Sequence, residues 1–218
     1  MKILALETAT EALSVALLVD GTLHAHHEVA PRRHGELLLG AVDALLIQSK
    51  LKLADLDALA FGRGPGAFTG VRIAVSAAQG LAFGAGLQVV PISTLAALAQ
   101  AALDAGAPRV VAAIDARMGE VYAAAFTADS EGLAVTAGDE FLGPAAAFTA
   151  PAGTWFGAGT GFGAYPDAFT LEMDGTDPDA LPTAAAVARL AAREVAHGRT
   201  VAPEQAMPVY LRDTVTNL

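Results

Sequence analysis

The stretch GRGPGAFTGVR, residues 62–72, decides how this chain is read. Four glycines and a proline precede a long run of small and apolar residues. Glycine-rich loops that open helices often hold phosphate on the free N–H groups of the first turn. A Walker A loop needs a lysine after its last glycine, and Gly70-Val71-Arg72 does not supply it. Gly62, Gly64 and Gly66 make a G-x-G-x-G run that fails the dinucleotide fingerprint at its last position. Two readings stay open. In one, the loop feeds a helix over 70–83 with Thr69 as its N-cap. In the other, the helix start holds a nucleotide or anion, with Glu7, Thr8, Gly66, Thr69 and Arg72 as the contacts.

The helix after the loop carries more information. Gly70, Ala74, Ala78 and Ala82 fall on one i, i+4 row, and Ser76, Gly80 and Gly84 on another. Val71, Ile73, Val75, Leu81 and Phe83 occupy the remaining faces. A helix that is apolar nearly all round must be covered on both sides. Upstream, 36–49 also reads as a helix with an apolar stripe wider than one buried face requires: Leu37, Leu38, Leu39, Ala41, Val42, Ala44, Leu45, Leu46 and Ile47. Either these two helices cover one another, or another chain covers them.

Outward from this centre, 2–6, 13–19 and 22–29 read as a three-stranded antiparallel meander, its second hairpin turned at Asp20-Gly21. Residues 56–61 and 88–91 read as further strands, and 93–103 as a helix capped by Ser93 or Thr94. A second half opens near Pro108. Its first stretch, VAAIDARMGEVYAAAF at 111–126, parallels ILALETATEALSVALL at 3–18: an apolar strand, a carboxylate at its end, a polar turn and a returning strand. That suggests an internal duplication and a pair of related α/β subdomains, 1–104 and 105–218. Residues 128–182 have few clear periods, whereas 182–197 reads as a helix with Thr183 as cap and Gly198 as stop. GAGTGFG at 157–163 is followed by Tyr165-Pro166-Asp167 and reads as a tight turn between strand and helix.

Composition narrows the function. The 218 residues are 54% hydrophobic and 17% charged, which places the chain among folded domains. It has no cysteine, so disulfides and thiolate metal sites are excluded, as fits a reducing cytoplasm. A net charge of −10 makes a poor stand-alone binder of nucleic acid, so any RNA is expected to be held by a partner. The uncharged run 73–103 is broken by Gly80, Gly84, Gly86 and Pro91 and reads as helix, strand and helix, with no membrane span expected. His24 and His26 share a strand face with Glu28, an arrangement more ordinary on a surface than in a metal site, and no metal is expected. Glu7 and Asp115 lie at equivalent strand ends and serve either as turn and cap residues or as Mg-nucleotide positions of an actin-like ATPase fold.

Together, ILALETATEALSVALLVDG, GRGPGAFTGVRIAVSAAQGLAFG, PISTLAALAQ, AAIDARMGEVY and PVYLR resemble the bacterial TsaB (YeaZ) family, over essentially the whole chain from residue 3 to 212. The resemblance implies an α/β chain of the actin/Hsp70/sugar-kinase (ASKHA) type with two RNase-H-like subdomains. It implies a part in making threonylcarbamoyladenosine beside the anticodon of tRNAs that read codons beginning with A. It also implies a non-catalytic role: the chain pairs with its paralogue TsaD, the transferase, and the ATPase TsaE joins them. ATP and a metal belong to those partners, with no cofactor in this chain. The H-x-x-x-H metal pair of TsaD falls here on Thr94 and Leu98. The family surface for both a homodimer and the TsaD pairing would be the two N-terminal helices, with Leu37, Leu38, Ala41, Leu45, Val71, Ala74, Ala78 and Leu81 as interface. On that reading a charge at Ala78 or Leu38 abolishes pairing and leaves the fold intact. tRNA is reached through the complex. The family usually has aspartate where this chain has Glu7, which bears on any nucleotide contact but not on a scaffold role.

Overall fold

β1 (Lys2–Glu7) is the middle strand of the first sheet, and its alternation organises what lies on either side. Leu4 and Leu6 point to one face, Ile3 and Ala5 to the other, and all four are fully buried. A strand covered on both faces reads as a continuous apolar run, as this one does. The computed structural model describes residues 1–212. β2 (Ala12–Val19) and β3 (Thr22–Val29) complete an antiparallel meander with β1, while β4 (Ala58–Gly62) and β5 (Gln88–Ile92) lie parallel to it, in the order β3-β2-β1-β4-β5. Asp20 and Gly21 both take positive φ, 47° and 88°, as the primed turn of a tight hairpin requires. Pro91 is tolerated because β5 is an edge strand.

The second sheet repeats the plan. β6 (Arg109–Arg117) and β7 (Glu120–Ala128) form its hairpin, β8 (Ala134–Thr136) and β9 (Phe141–Gly143) both pair with β7, and β10 (Trp155–Ala158) and β11 (Met173–Asp177) run parallel to β6. The order β8-β7-β6-β10-β11 is that of the first sheet, and the two similar stretches noted above are its equivalent hairpins. This is the ASKHA type of fold. β8, β9 and β11 escaped sequence reading because two have three residues each and the third, MDGTD, is polar.

α1 (His34–Gln48) and α2 (Phe68–Ala85) cover the Leu4/Leu6 face of the first sheet. Both begin two residues before their expected starts. The N-cap of α2 is Ala67, with no side-chain cap, and Thr69 sits exposed within the first turn. α3 (Thr94–Asp104) and α5 (Ala184–Ala196) are capped as the sequence indicates: Ser93 Oγ accepts from Ala96 N–H and Thr183 Oγ1 from Ala186 N–H, each at 3.2 Å. α4 (Thr160–Ala164) follows β10 through the GAGTGFG turn.

The division at 104/105 separates the sheets along the chain but not the packing. α3 follows β5, yet lies against β6 and β7. α5 follows β11, yet lies against β1, β2, β4 and β5. The two helices form a middle layer whose single core joins Ile3, Ala5 and Val90 to Val110, Ala112 and Phe126. The exchange gives each sheet an apolar cover on its inner face. Beyond α5 the chain returns to the first half: Val201 and Val89 form an antiparallel bridge, and Ala206 is fully buried in the α1–α2 core. The uncharged run 73–103 is resolved into α2, β5 and α3, and no helix among the described residues is long and apolar enough to cross a membrane.

Leu98 of α3 is fully buried in that shared layer. Leu98→Ala is expected to cost about 2–5 kcal/mol without splitting the transition. Trp155 fluorescence, reporting the second sheet, and far-ultraviolet circular dichroism, reporting both, will move to lower denaturant together. Two separate transitions would contradict a shared core.

Candidate functional site

The glycine loop between β4 and α2 has a clear occupant, and it is the chain itself. The β1–β2 turn, Glu7 to Thr10, is pressed into it. A Cβ at Gly62 would overlap the Glu7 carboxylate, one at Gly70 would overlap the Thr8 carbonyl, and one at Gly66 would lie 2.5 Å from the Ala9 carbonyl oxygen. Hydrogen bonds lock the fit: Ala67 N–H donates to Ala9 O at 2.7 Å and the Thr8 hydroxyl to Gly70 O at 2.8 Å. Gly66 and Gly70 make room for the backbone of the turn and Gly62 for the Glu7 carboxylate.

Glu7 is 1% exposed. It accepts from Ala9 N–H at 2.7 Å and from the Thr94 hydroxyl at 3.0 Å. Burial pushes its carboxyl up to about 7, against the pull of those hydrogen bonds and of Thr8 N–H. Of the five expected anion contacts, Glu7 and Thr8 are therefore enclosed and spent within the chain, and Gly66 abuts Ala9. Thr69 is exposed on the first turn of α2. The Arg72 guanidinium lies 3.8 Å over the Phe68 ring and donates to the Tyr210 hydroxyl at 2.7 Å. Gly66 and Arg72 line one cleft, whereas Glu7, Thr8 and Thr69 lie outside it, so the five do not form one site.

The counterpart turn of the second half is built differently. Asp115 accepts from the Arg117 N–H and guanidinium, both at 2.8 Å, and from the Tyr165 hydroxyl at 3.2 Å. A buried carboxyl with neutral partners and a rim carboxylate paired to arginine no longer make a symmetric pair. Between the two turns opens a cleft of about 970 Å³, walled by Ala9, Thr10, Phe68, Ile114, Met118 and Tyr210.

The α1–α2 pair presents the other candidate surface, and here the expected residues divide. Leu38, Leu45, Val71, Ala74 and Ala78 are 5% exposed or less and belong to the core under the helices. They cannot meet a second chain, and a charge at Leu38 or Ala78 would unfold the protein instead of sparing the fold. Leu37, Ala41 and Leu81 are half-buried beside that core. The outward apolar residues are Leu39, Ile47 and Phe83, at 54%, 77% and 79% exposure. Periodicity missed them because both faces of each helix are apolar, so its phase is not readable. Gly40, Gly80 and Gly84 are open, with nothing within 4 Å of where a Cβ would stand.

Thr94 and Leu98, at the positions that the resemblance gives to transferase histidines, are both fully buried, one bonded to Glu7 and the other in the shared core. On β3, His26 Nε2 lies 3.3 Å from Glu28 Oε1, and among the described residues no group of three ligating side chains comes together.

Known proteins match the whole of this arrangement. The family model described as TsaD, tRNA N6-adenosine threonylcarbamoyltransferase, matches residues 24–207. The tRNA threonylcarbamoyladenosine biosynthesis protein TsaB of Escherichia coli is 46% identical, covering 99% of this chain and 96% of that protein. The protein of the same name from Haemophilus influenzae is 42% identical, covering 99% and 95%. The solved structure of YeaZ from Pseudomonas aeruginosa superposes with a TM-score of 0.93 at 47% identity, covering 96% of this chain and 99% of that one.

The raised Glu7 value has a measurable consequence. The fold favours the protonated carboxyl, so its contribution to stability is full below the ordinary value of 4.5 and is lost as pH rises through about 7. Glu7→Gln keeps the shape and cannot ionise. It is expected to match the parent near pH 5 and to exceed it by about 3 kcal/mol at pH 8, read from denaturant midpoints across that range. Equal stability at both pH values would show that Glu7 is ionised in the fold.

Proposed function

Since this chain belongs to the TsaB (YeaZ) family, which acts in tRNA threonylcarbamoyladenosine biosynthesis, we propose that it is the non-catalytic subunit that pairs with the transferase TsaD, TsaE joining the pair. The outer face of α1 and α2 is the pairing surface, and the same face forms a homodimer when the chain is alone. The two assemblies then compete. ATP and the metal belong to the partners, and tRNA is reached only through the complex, in keeping with a net charge of −10.

The observation that carries this reading is the outward set Leu39, Ile47 and Phe83, interleaved with the open glycines 40, 80 and 84. Glycine inside a helix costs about 1 kcal/mol relative to alanine. Nothing among the described residues needs the space that Gly80 leaves, so the space serves a neighbour that approaches α2 closely. Glu36, Asp43 and Arg72 are the only charged residues on the two helices, so the face is also poorly suited to permanent exposure. A non-catalytic role is supported by Thr94 and Leu98, a buried hydroxyl and a core leucine in place of a metal pair.

Size-exclusion chromatography with light scattering tests the proposal, on the protein alone and mixed with TsaD of the same organism. A homodimer that converts to a mixed complex is expected. A monomer indifferent to TsaD would overturn the reading, and ATP turnover on small acceptors would then become the assay of choice. Phe83→Arg and Leu39→Asp, both on exposed positions, are expected to abolish pairing with the far-ultraviolet circular dichroism spectrum unchanged. Gly80→Ala is expected to stabilise the isolated chain by about 0.5–1 kcal/mol while weakening association, because its methyl fills space reserved for the neighbour. Unchanged pairing in all three variants would remove this face from the interface.

A further inference from the structure

The segment after α5 does more than close the core. Val201 bridges to Val89, the Gln79 amide donates to Ala206 O at 2.8 Å, and Val209 N–H donates to Arg63 O at 2.8 Å. The Tyr210 ring stacks on Phe68 at 5.6 Å and its hydroxyl accepts from Arg72. From Val201 to Tyr210 these contacts are with the first half, whereas Arg199 before them is paired back to Glu194 of α5. Just beyond Tyr210, Arg212 reaches the second half: it pairs with Glu120 and donates to Ala116 O at 3.4 Å, on the β6–β7 hairpin. Tyr210 and Arg212 both line the cleft between the halves.

We propose that residues 206–212 are a tie that sets the width of this cleft, anchored on the first half by Ala206, Val209 and Tyr210 and on the second by the Arg212–Glu120 pair. The alternatives are weaker or lie elsewhere. The other ion pair across the cleft, Arg117 to Glu11, is 3.8 Å long with side chains 76% and 48% exposed, so solvent screens it. Arg212 and Glu120 are only 24% and 33% exposed, and the guanidinium has a second acceptor in Ala116 O. Arg63–Glu140, at 3.0 Å, also joins the halves, but its residues line a separate pocket beside Ser93 and leave the cleft mouth free. Nothing else among the described residues holds the two hairpin turns together as firmly.

Because the chain has no cysteine, two introduced ones can be spin-labelled without background. Ala25→Cys on β3 and Ala147→Cys in the second half are at exposed positions on different halves and away from α1 and α2, and dilution with unlabelled protein confines the signal to one chain. In double electron–electron resonance on the full chain, Arg212→Glu and Glu120→Arg are each expected to lengthen and broaden the distance distribution. The double exchange, which restores opposite charges, is expected to return it to that of the parent. Arg212→Gln, which cuts the pair without adding a charge, must shift it in the same direction as Arg212→Glu. A parental distribution in any single variant, or a double variant that stays broadened, would overturn the proposal.

Discussion

Everything on the first half of this molecule is referred to the fit of the β1–β2 turn in the glycine loop. The backbone of the turn lies so close at residues 66 and 70, and the Glu7 carboxylate at residue 62, that none of the three has room for a Cβ. The contact fixes where α2 begins, because the N–H of its N-cap residue, Ala67, is bonded to the turn at Ala9 O. With the start of α2 set, so is its rotation: Val71, Ala74, Ala78 and Ala82 face the sheet, and Phe83 faces out. The same fit encloses Glu7, whose carboxyl is then held between Ala9 N–H and the Thr94 hydroxyl with no cation beside it. A loop whose composition suggests phosphate binding is thus a socket for part of its own chain.

Through Thr94 the socket is connected to the middle layer. Thr94 opens α3, which leaves the first sheet and covers the second, while α5 makes the reverse journey. Two copies of one strand plan would each have had a bare inner face. The exchange covers both with one pair of helices, so the halves cannot be separated without exposing core. The hairpin turns of the two copies differ. One has become an interior element with a protonatable carboxyl, and the other has stayed at the surface, with Asp115 paired to Arg117.

The two sides of α1 and α2 carry different loads. The inner side is ordinary core, filled by leucines and valines against β1, β2 and β4. The outer side is apolar without a covering among the described residues, and its open glycines are a standing cost in helix stability that the isolated fold does not repay. That imbalance is why the surface, more than the cleft, carries the functional reading within a family of threonylcarbamoyladenosine biosynthesis proteins.

Much of this was legible before any coordinates. The meander, its Asp20-Gly21 turn, the caps Ser93 and Thr183, and the repeated hairpin all rest on short-range rules, since each depends on residues within a few positions. The family followed from motifs spread along the chain. The over-apolar helices could be recognised as needing two coverings. Which residues serve which covering could not: Leu38 and Leu39, or Ala82 and Phe83, differ by one step of 100° on a helix, and only the sheet beneath decides which of them is interior. Nor could sequence show that α3 and α5 change sheets, that Glu7 is sealed by Gly62, or that Arg212 meets Glu120 at a separation of 92 residues. Local order is written in neighbouring residues. The phase of a helix apolar on both sides, and the partner of a long-range contact, exist only once the chain has closed on itself.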